Sequence, residues 1–151
     1  MKSSINEQII LFAVMFCVGI LFNPMNMLAY NIRDIYFSLT LMYGAFLMAS
    51  NMIWSHQIVH FINIGHFNKF IFTIGIILSM FSIFLLRRQI CVNKNQWLKR
   101  MIGHHSTAIT TTKQLLKNND DVKDNPKVYK LAKDIIRAQE KEILLMKSLI
   151  K

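Results

Sequence analysis

The sequence predicts an all-α fold in which three transmembrane helices precede an amphipathic helical hairpin. Three observations carry this. Long uncharged apolar runs fill the first half of the chain. Charge is concentrated in the second half, where residues 87–151 hold fifteen Lys/Arg and six Asp/Glu against three and two in residues 1–86. Beyond residue 93 the apolar residues recur at spacings of three and four, interrupted once by a turn-forming cluster.

The apolar runs cover residues 9–28 ("IILFAVMFCVGILFNPMNML"), 35–54 ("IYFSLTLMYGAFLMASNMIW") and about 70–86 ("FIFTIGIILSMFSIFLL"). Each carries no formal charge and is long enough to cross the hydrocarbon core as a helix, so residues 1–88 form a transmembrane region. No small-residue cleavage site follows the first run, which therefore reads as a retained span and not a signal peptide. The lipid bilayer is thus an expected partner. The surplus of nine positive charges after residue 86 fits attraction to anionic headgroups. Nucleic acid is not expected, because the aromatic platforms that bind single strands are missing. Cys17 and Cys91 form no CxxC motif and no disulfide framework.

Residues 94–151 form the hairpin, with helices over about 94–117 and 126–150. Between them lies "NNDDVKDNP", with Asp124 or Asn125 as cap and Pro126 at the first helical position. The inward stripe of the second helix runs Val128, Leu131, Ile135, Ala138, Glu142, Leu145 and Leu149. That of the first runs Trp97, Met101, His104 or His105, Ala108, Thr111 or Thr112, and Leu115. A fold about residues 121–122 sets Met101 opposite Glu142 and His104 opposite Gln139, with Met146 one turn from Glu142. Ile102, Ile109, Ile136 and Ile143 are left beside this seam, and so short a tail is small for a self-sufficient core. A homodimer through paired hairpins is therefore expected.

Met101, His104, His105, Glu142 and Met146 converge in this arrangement as candidate metal ligands. Thioether with imidazole is a soft-to-borderline donor set that suits copper, whereas zinc more often recruits cysteine or three His/Asp/Glu. The competing reading is core packing for the methionines and a capping or hydrogen-bonding role for the His pair. Enzymatic signatures are absent: HHxxxD fails at Ile109, no HExxH occurs, and the hairpin has no Glu-x-x-His for a di-iron site. The chain is expected not to be an enzyme. A second, weaker metal feature is Met48, Met52, His56 and His60, which recur at every fourth residue along one helical face.

The runs "WLKRMIGHHSTAITTTKQLL" and "NPKVYKLAKDIIRAQEKEILLMKSLI" resemble the domain-of-unknown-function family 305 (DUF305) over residues 96–150, in a membrane-fused form. The resemblance implies a ferritin-like helical half-bundle and, for some members, copper binding and copper tolerance. The matching positions are Met101, His104, His105, Gln139, Glu142 and Met146. Gly103 stands where the family usually has proline, and Thr111 and Thr112 lie where soluble copper-binding relatives carry another Met.

The expected function is therefore an integral membrane protein with a copper-binding hairpin, serving metal storage or tolerance. The alternative is a membrane structural or interaction module without metal. Arg33, Arg87, Arg88, Lys94, Lys99 and Arg100 fall on the side of the first loop and the hairpin, against Lys2 and Lys69 on the other. The positive-inside rule makes this a multi-pass inner-membrane protein with a cytoplasmic hairpin.

Overall fold

Pro24 ends the first apolar helix early, because a residue preceding proline is driven out of helical conformation. In the computed structural model, which describes residues 5–150, α1 runs Ile5–Leu21 and a single turn, α2, follows at Pro24–Met27. A 3-10 turn at Ile32–Asp34 comes next, held by the Asn31 side chain accepting from the Arg33 N–H. The remaining helices are α3 (Leu39–Ile64), α4 (Lys69–Arg88), α5 (Lys94–Asn118), α6 (Asp120–Asp124) and α7 (Pro126–Leu149). The described residues contain no strand, so the fold is all-α. They divide into two compact units: residues 5–23 with 39–91, and residues 24–38 with 92–150. Residues 24–38, within the expected transmembrane region 1–88, belong to the same compact unit as the hairpin.

In the first unit α3 lies against both α1 and α4. Glycines permit the close approach: a Cβ on Gly19 would come within 3.0 Å of the Ala45 backbone, and one on Gly75 within 2.8 Å of the Trp54 nitrogen. The interior holds polar side chains, including Ser50, Gln57, Ser79 and Ser82, while Ile9, Val14, Phe70, Ile77 and Phe81 face outward. The three serine hydroxyls donate to the carbonyls of Phe46, Gly75 and Leu78, each four residues back, and so need no external partner. Arg87 and Arg88 sit in the last turn of α4, where cations favour the negative end of the helix dipole.

The expectation of three apolar spans is narrowed here. Ile5–Met27 and Lys69–Arg88 are long and apolar enough to cross a membrane; the middle helix does not meet that measure. It begins at Leu39 and extends to Ile64, beyond the expected 35–54, and takes in His56, Gln57 and His60. Residues 35–38 are not helical, and Tyr36 packs instead against the core of the second unit.

That core consists of Leu98, Ile102, Ile109, Ile143 and Met146, with Tyr36, Met101 and Ile150 against it. Asn93 and Asn125 cap α5 and α7 by accepting from the Gln96 and Val128 N–H groups, and Pro126 takes the first helical position as expected. The expected stripes are each one residue out. Leu131 and Leu145 are 60% and 59% exposed, and Trp97 and Leu149 also face outward, whereas Ile102, Ile109 and Ile143, placed beside the seam, form it. The turn contains a short helix, α6, and the contact between His105 and Glu142 centres the hairpin between residues 123 and 124 instead of at 121–122.

Asp34 fastens the linker to this hairpin. Its carboxylate is 3% exposed and accepts from the Ser106 hydroxyl at 2.6 Å and the Lys147 ammonium at 2.5 Å. Ser106 in turn accepts from the Tyr30 N–H at 2.8 Å, Thr107 donates to the Met25 carbonyl, and the Lys113 ammonium lies 3.9 Å from the centre of the Tyr30 ring. Removing one member of such a pair leaves the other without its counter-charge. Asp34→Ala is expected to destabilise the protein by about 3 kcal/mol, the lower end of the range for a broken buried pair, because Lys147 keeps some contact with solvent. Denaturant unfolding in detergent, followed by helical circular dichroism, measures this. An unchanged midpoint would show that Asp34 does not hold the linker.

Candidate metal centre

On α5, Met101 and His105 stand four residues apart and so share a face; on α7, Glu142 and Met146 do the same. Of these four, Met146 lies in the seam between the two helices, Met101 and His105 are half-buried at its edge, and Glu142 is exposed beside it. His104 and His105 are successive residues, rotated by about 100° around the helix, and cannot both face α7. His105 is half-buried at the seam and His104 is exposed, its ring centre 5.9 Å from that of His105. The expectation that both histidines lie on or beside the seam therefore holds for His105 alone. Neither sits at a helix start, because α5 begins at Lys94 and the pair falls in its third turn. Gly103 lies within the helix, and a Cβ there would meet only ordinary contacts with the Asp34 carbonyl and Met25.

His105 Nδ1 is 2.9 Å from Glu142 Oε2. The carboxylate lies off the direction of the ring N–H, so the contact is an electrostatic one between the carboxylate and the dipole of the neutral ring. Burial pushes the His105 pKa below the ordinary histidine value; Glu142 opposes this and His104 adds to it. The imidazole is thereby kept neutral near pH 7, the form a metal ion requires.

Met146 is buried within the aliphatic cluster, and Met101 packs against that cluster from its edge. Glu142 is exposed, and Gln139 is half-buried on α7. The structure thus brings His105 to Glu142 and sets the two thioethers along the same seam, while His104 stays at the rim. Among the described residues no three His, Cys, Asp or Glu side chains converge on one point, so any ion held here must draw on the sulfurs. That donor set, one neutral imidazole with two thioethers, fits copper(I).

The sequence reading missed Asp34, Ser106 and Lys147, the polar tie that backs α5 just behind His105. One signal was present: Asp34 and Glu7 are the only carboxylates in residues 1–86, and a lone Asp between apolar runs needs a partner.

Residues 89–150 match a family profile described as "Domain of unknown function (DUF305)". An uncharacterized protein of Acanthamoeba polyphaga mimivirus is 33% identical over 146 residues, covering 96% of this chain and 92% of that protein. No solved structure matches.

The lowered pKa of His105 gives the hairpin a pH dependence of definite sign. Between its folded value and the unfolded value of about 6.5 the unfolded chain binds more protons, so stability rises with pH across that window. The contribution is complete above about pH 6.5 and is lost as the pH falls through the folded value. Unfolding midpoints measured from pH 7.5 downward should show a loss in the wild type that is reduced in His105→Gln. Identical profiles for the two proteins would contradict the assignment.

Proposed function

This chain belongs to the DUF305 family, and on that premise we propose that it is a non-catalytic, membrane-anchored protein whose hairpin binds copper(I) in metal storage or tolerance. The observation that carries this is the placing of His105, half-buried beside the seam, one turn along α5 from Met101, which packs against the core cluster that holds Met146. Soft thioethers favour copper(I), and an imidazole already free of its second proton binds without releasing one. Glu142 acts by charge on Nδ1, biasing the ring toward the tautomer whose Nε2 lone pair is available. The aliphatic side chains of Leu98, Ile102 and Ile143 cluster with Met146 and shield it from water, while Met101 is half-buried. His104, at the rim, offers a second imidazole by which an ion is first met. The opposing reading, an interaction module in which Met146 merely packs, draws on the burial of that residue and predicts no copper-specific response.

Membrane anchoring is supported by the inverted character of the first unit, with apolar side chains outside and serine and glutamine within. The linker 24–38 and the hairpin belong to one compact unit and so share a side. If α4 crosses a membrane, α3 must cross as well to return the chain to that side. Its lower hydropathy is compatible with this, because Ser50 and Ser55 bond to their own helix and Asn51 accepts from the Trp54 indole. Pairing of hairpins through the outward row of Leu131, Leu145 and Leu149 completes the reading.

Copper(I) titrated against a competing chelator should bind the full-length protein about one to one. His105→Ala together with His104→Ala should weaken binding by one or more orders of magnitude, since isolated thioethers bind feebly. Equal affinity in the two proteins would overturn the metal reading. For topology, the arginines and lysines around the hairpin favour a cytoplasmic side. Cys91 is exposed just past α4 and reports directly: an impermeant thiol reagent should label it only after the membrane is opened. Labelling in sealed right-side-out vesicles would reverse the orientation.

A further inference from the structure

The first unit holds the other three histidines of the chain, and they lie together. His56 and His60 stand four residues apart on α3, as "HQIVH", with ring centres 6.1 Å apart. After α3 the chain reverses at Gly65, whose φ of +72° only glycine adopts freely, and the reversal brings the His66 ring to 5.7 Å from that of His60. All three rings are half-buried.

For the pairs His56–His60 and His60–His66 these separations, ordinary for packed rings, also fall within the span of two imidazoles that share an ion. With a metal–nitrogen bond of about 2.0 Å, each ring centre lies about 3.2 Å from the metal, so two ligating rings have centres roughly 5–6.5 Å apart across tetrahedral to linear angles. Histidines at i and i+4 on one helical face supply two such ligands in known zinc motifs.

The hydrogen bonds add direction. His60 Nδ1 is 3.1 Å from the His66 carbonyl oxygen, which can only accept, so Nδ1 carries the proton and the Nε2 lone pair is open. A carbonyl fixing the far nitrogen is the arrangement that orients metal-ligating histidines. His56 Nδ1 is 3.1 Å from Gln8 Nε2. Metal capture at His56 Nε2 shifts the ring proton to Nδ1, and rotation of the Gln8 amide turns its oxygen to accept it; no net proton is released. The rings do not yet aim at one point, in keeping with the lack of a converged cluster among the described residues. Side-chain rotation at His56 and His66 is therefore part of capture.

We propose that His56, His60 and His66 form a second metal site, independent of the hairpin, for a borderline divalent transition-metal cation. Three imidazoles without thiolate or carboxylate suit zinc(II) and copper(II) and leave a fourth position for water.

Zinc(II) is the probe, titrated into the full-length protein in detergent against a chromophoric chelator. One saturable site per chain is expected. His56→Gln, His60→Asn and His66→Gln should each weaken it at least tenfold, and His105→Gln should leave it unchanged. His60→Asn keeps a donor toward the His66 carbonyl, and His66→Gln keeps that carbonyl, so neither removes the turn. A readout that needs no variant is the protection of wild-type histidines from diethyl pyrocarbonate by zinc(II), located by mass spectrometry. His56, His60 and His66 should be protected while His104 remains reactive. Absence of a saturable site, unchanged affinity in the three variants, or protection confined to the hairpin would each overturn the proposal.

Discussion

The buried carboxylate of Asp34 is the constraint on which the second unit depends. A carboxylate 3% exposed to solvent is tolerable only if its charge is met, and here an ammonium from α7 and a hydroxyl from α5 meet it together. The pairing fixes more than the linker. Ser106 must point toward residues 30–34, which sets the rotation of α5 about its axis; Lys147 must reach the same point, which sets α7. With both rotations fixed, His105 turns to the seam and His104 away from it. The hairpin is therefore completed by a segment covalently joined to the apolar helices, and an excised piece beginning near residue 90 would lack the partner of two of its polar side chains.

The same constraint explains which parts of the hairpin were legible in the sequence. Helix extents, the Asn125 cap and Pro126 follow from local chemistry and are found where the letters place them. The rotation of each helix does not. Apolar residues come in adjacent pairs along both: Trp97 with Leu98, Met101 with Ile102, Ala108 with Ile109, Leu145 with Met146. Two neighbouring stripes satisfy the helical period equally well, and periodicity cannot choose between them. The choice is made by a residue more than seventy positions away, Asp34, and by the fit of β-branched isoleucines at Ile102, Ile109 and Ile143. A one-residue error in both stripes follows directly.

In the apolar half the lesson is different. Charge-free runs located α1 and α4 well, because their exposed faces carry most of their hydrophobic side chains. The middle helix is harder to bound, since its polar residues lie inside. Ser50 and Gln57 are buried against α1 and α4, and the apolar Ile58, Phe61 and Ile62 face out. A hydropathy average counts these polar side chains as a penalty without knowing that they are turned inward. Residues 35–38, apolar enough to extend the helix, are instead drawn off by the packing of Tyr36 on the hairpin core.

The one-residue rotation of the hairpin also bears on the copper chemistry proposed for it. With the expected stripes, two imidazoles and a carboxylate would have met two thioethers, a mixed set with little preference among copper(I), copper(II) and zinc. The observed rotation sends His104 and Glu142 outward, where Glu142 acts on His105 through charge, and draws Met146 into the aliphatic core. What stays along the seam is one neutral imidazole and two sulfurs, a softer set in a drier place. Softness and dryness both act in favour of copper(I), the first by matching a polarisable ion and the second by excluding the water and anionic ligands that stabilise a dipositive one. The proposed site of His56, His60 and His66 has the opposite character, nitrogen alone and no sulfur positioned by an aliphatic core. On this reading a single buried aspartate, by setting the rotation of two helices, decides which donors of the hairpin face its seam.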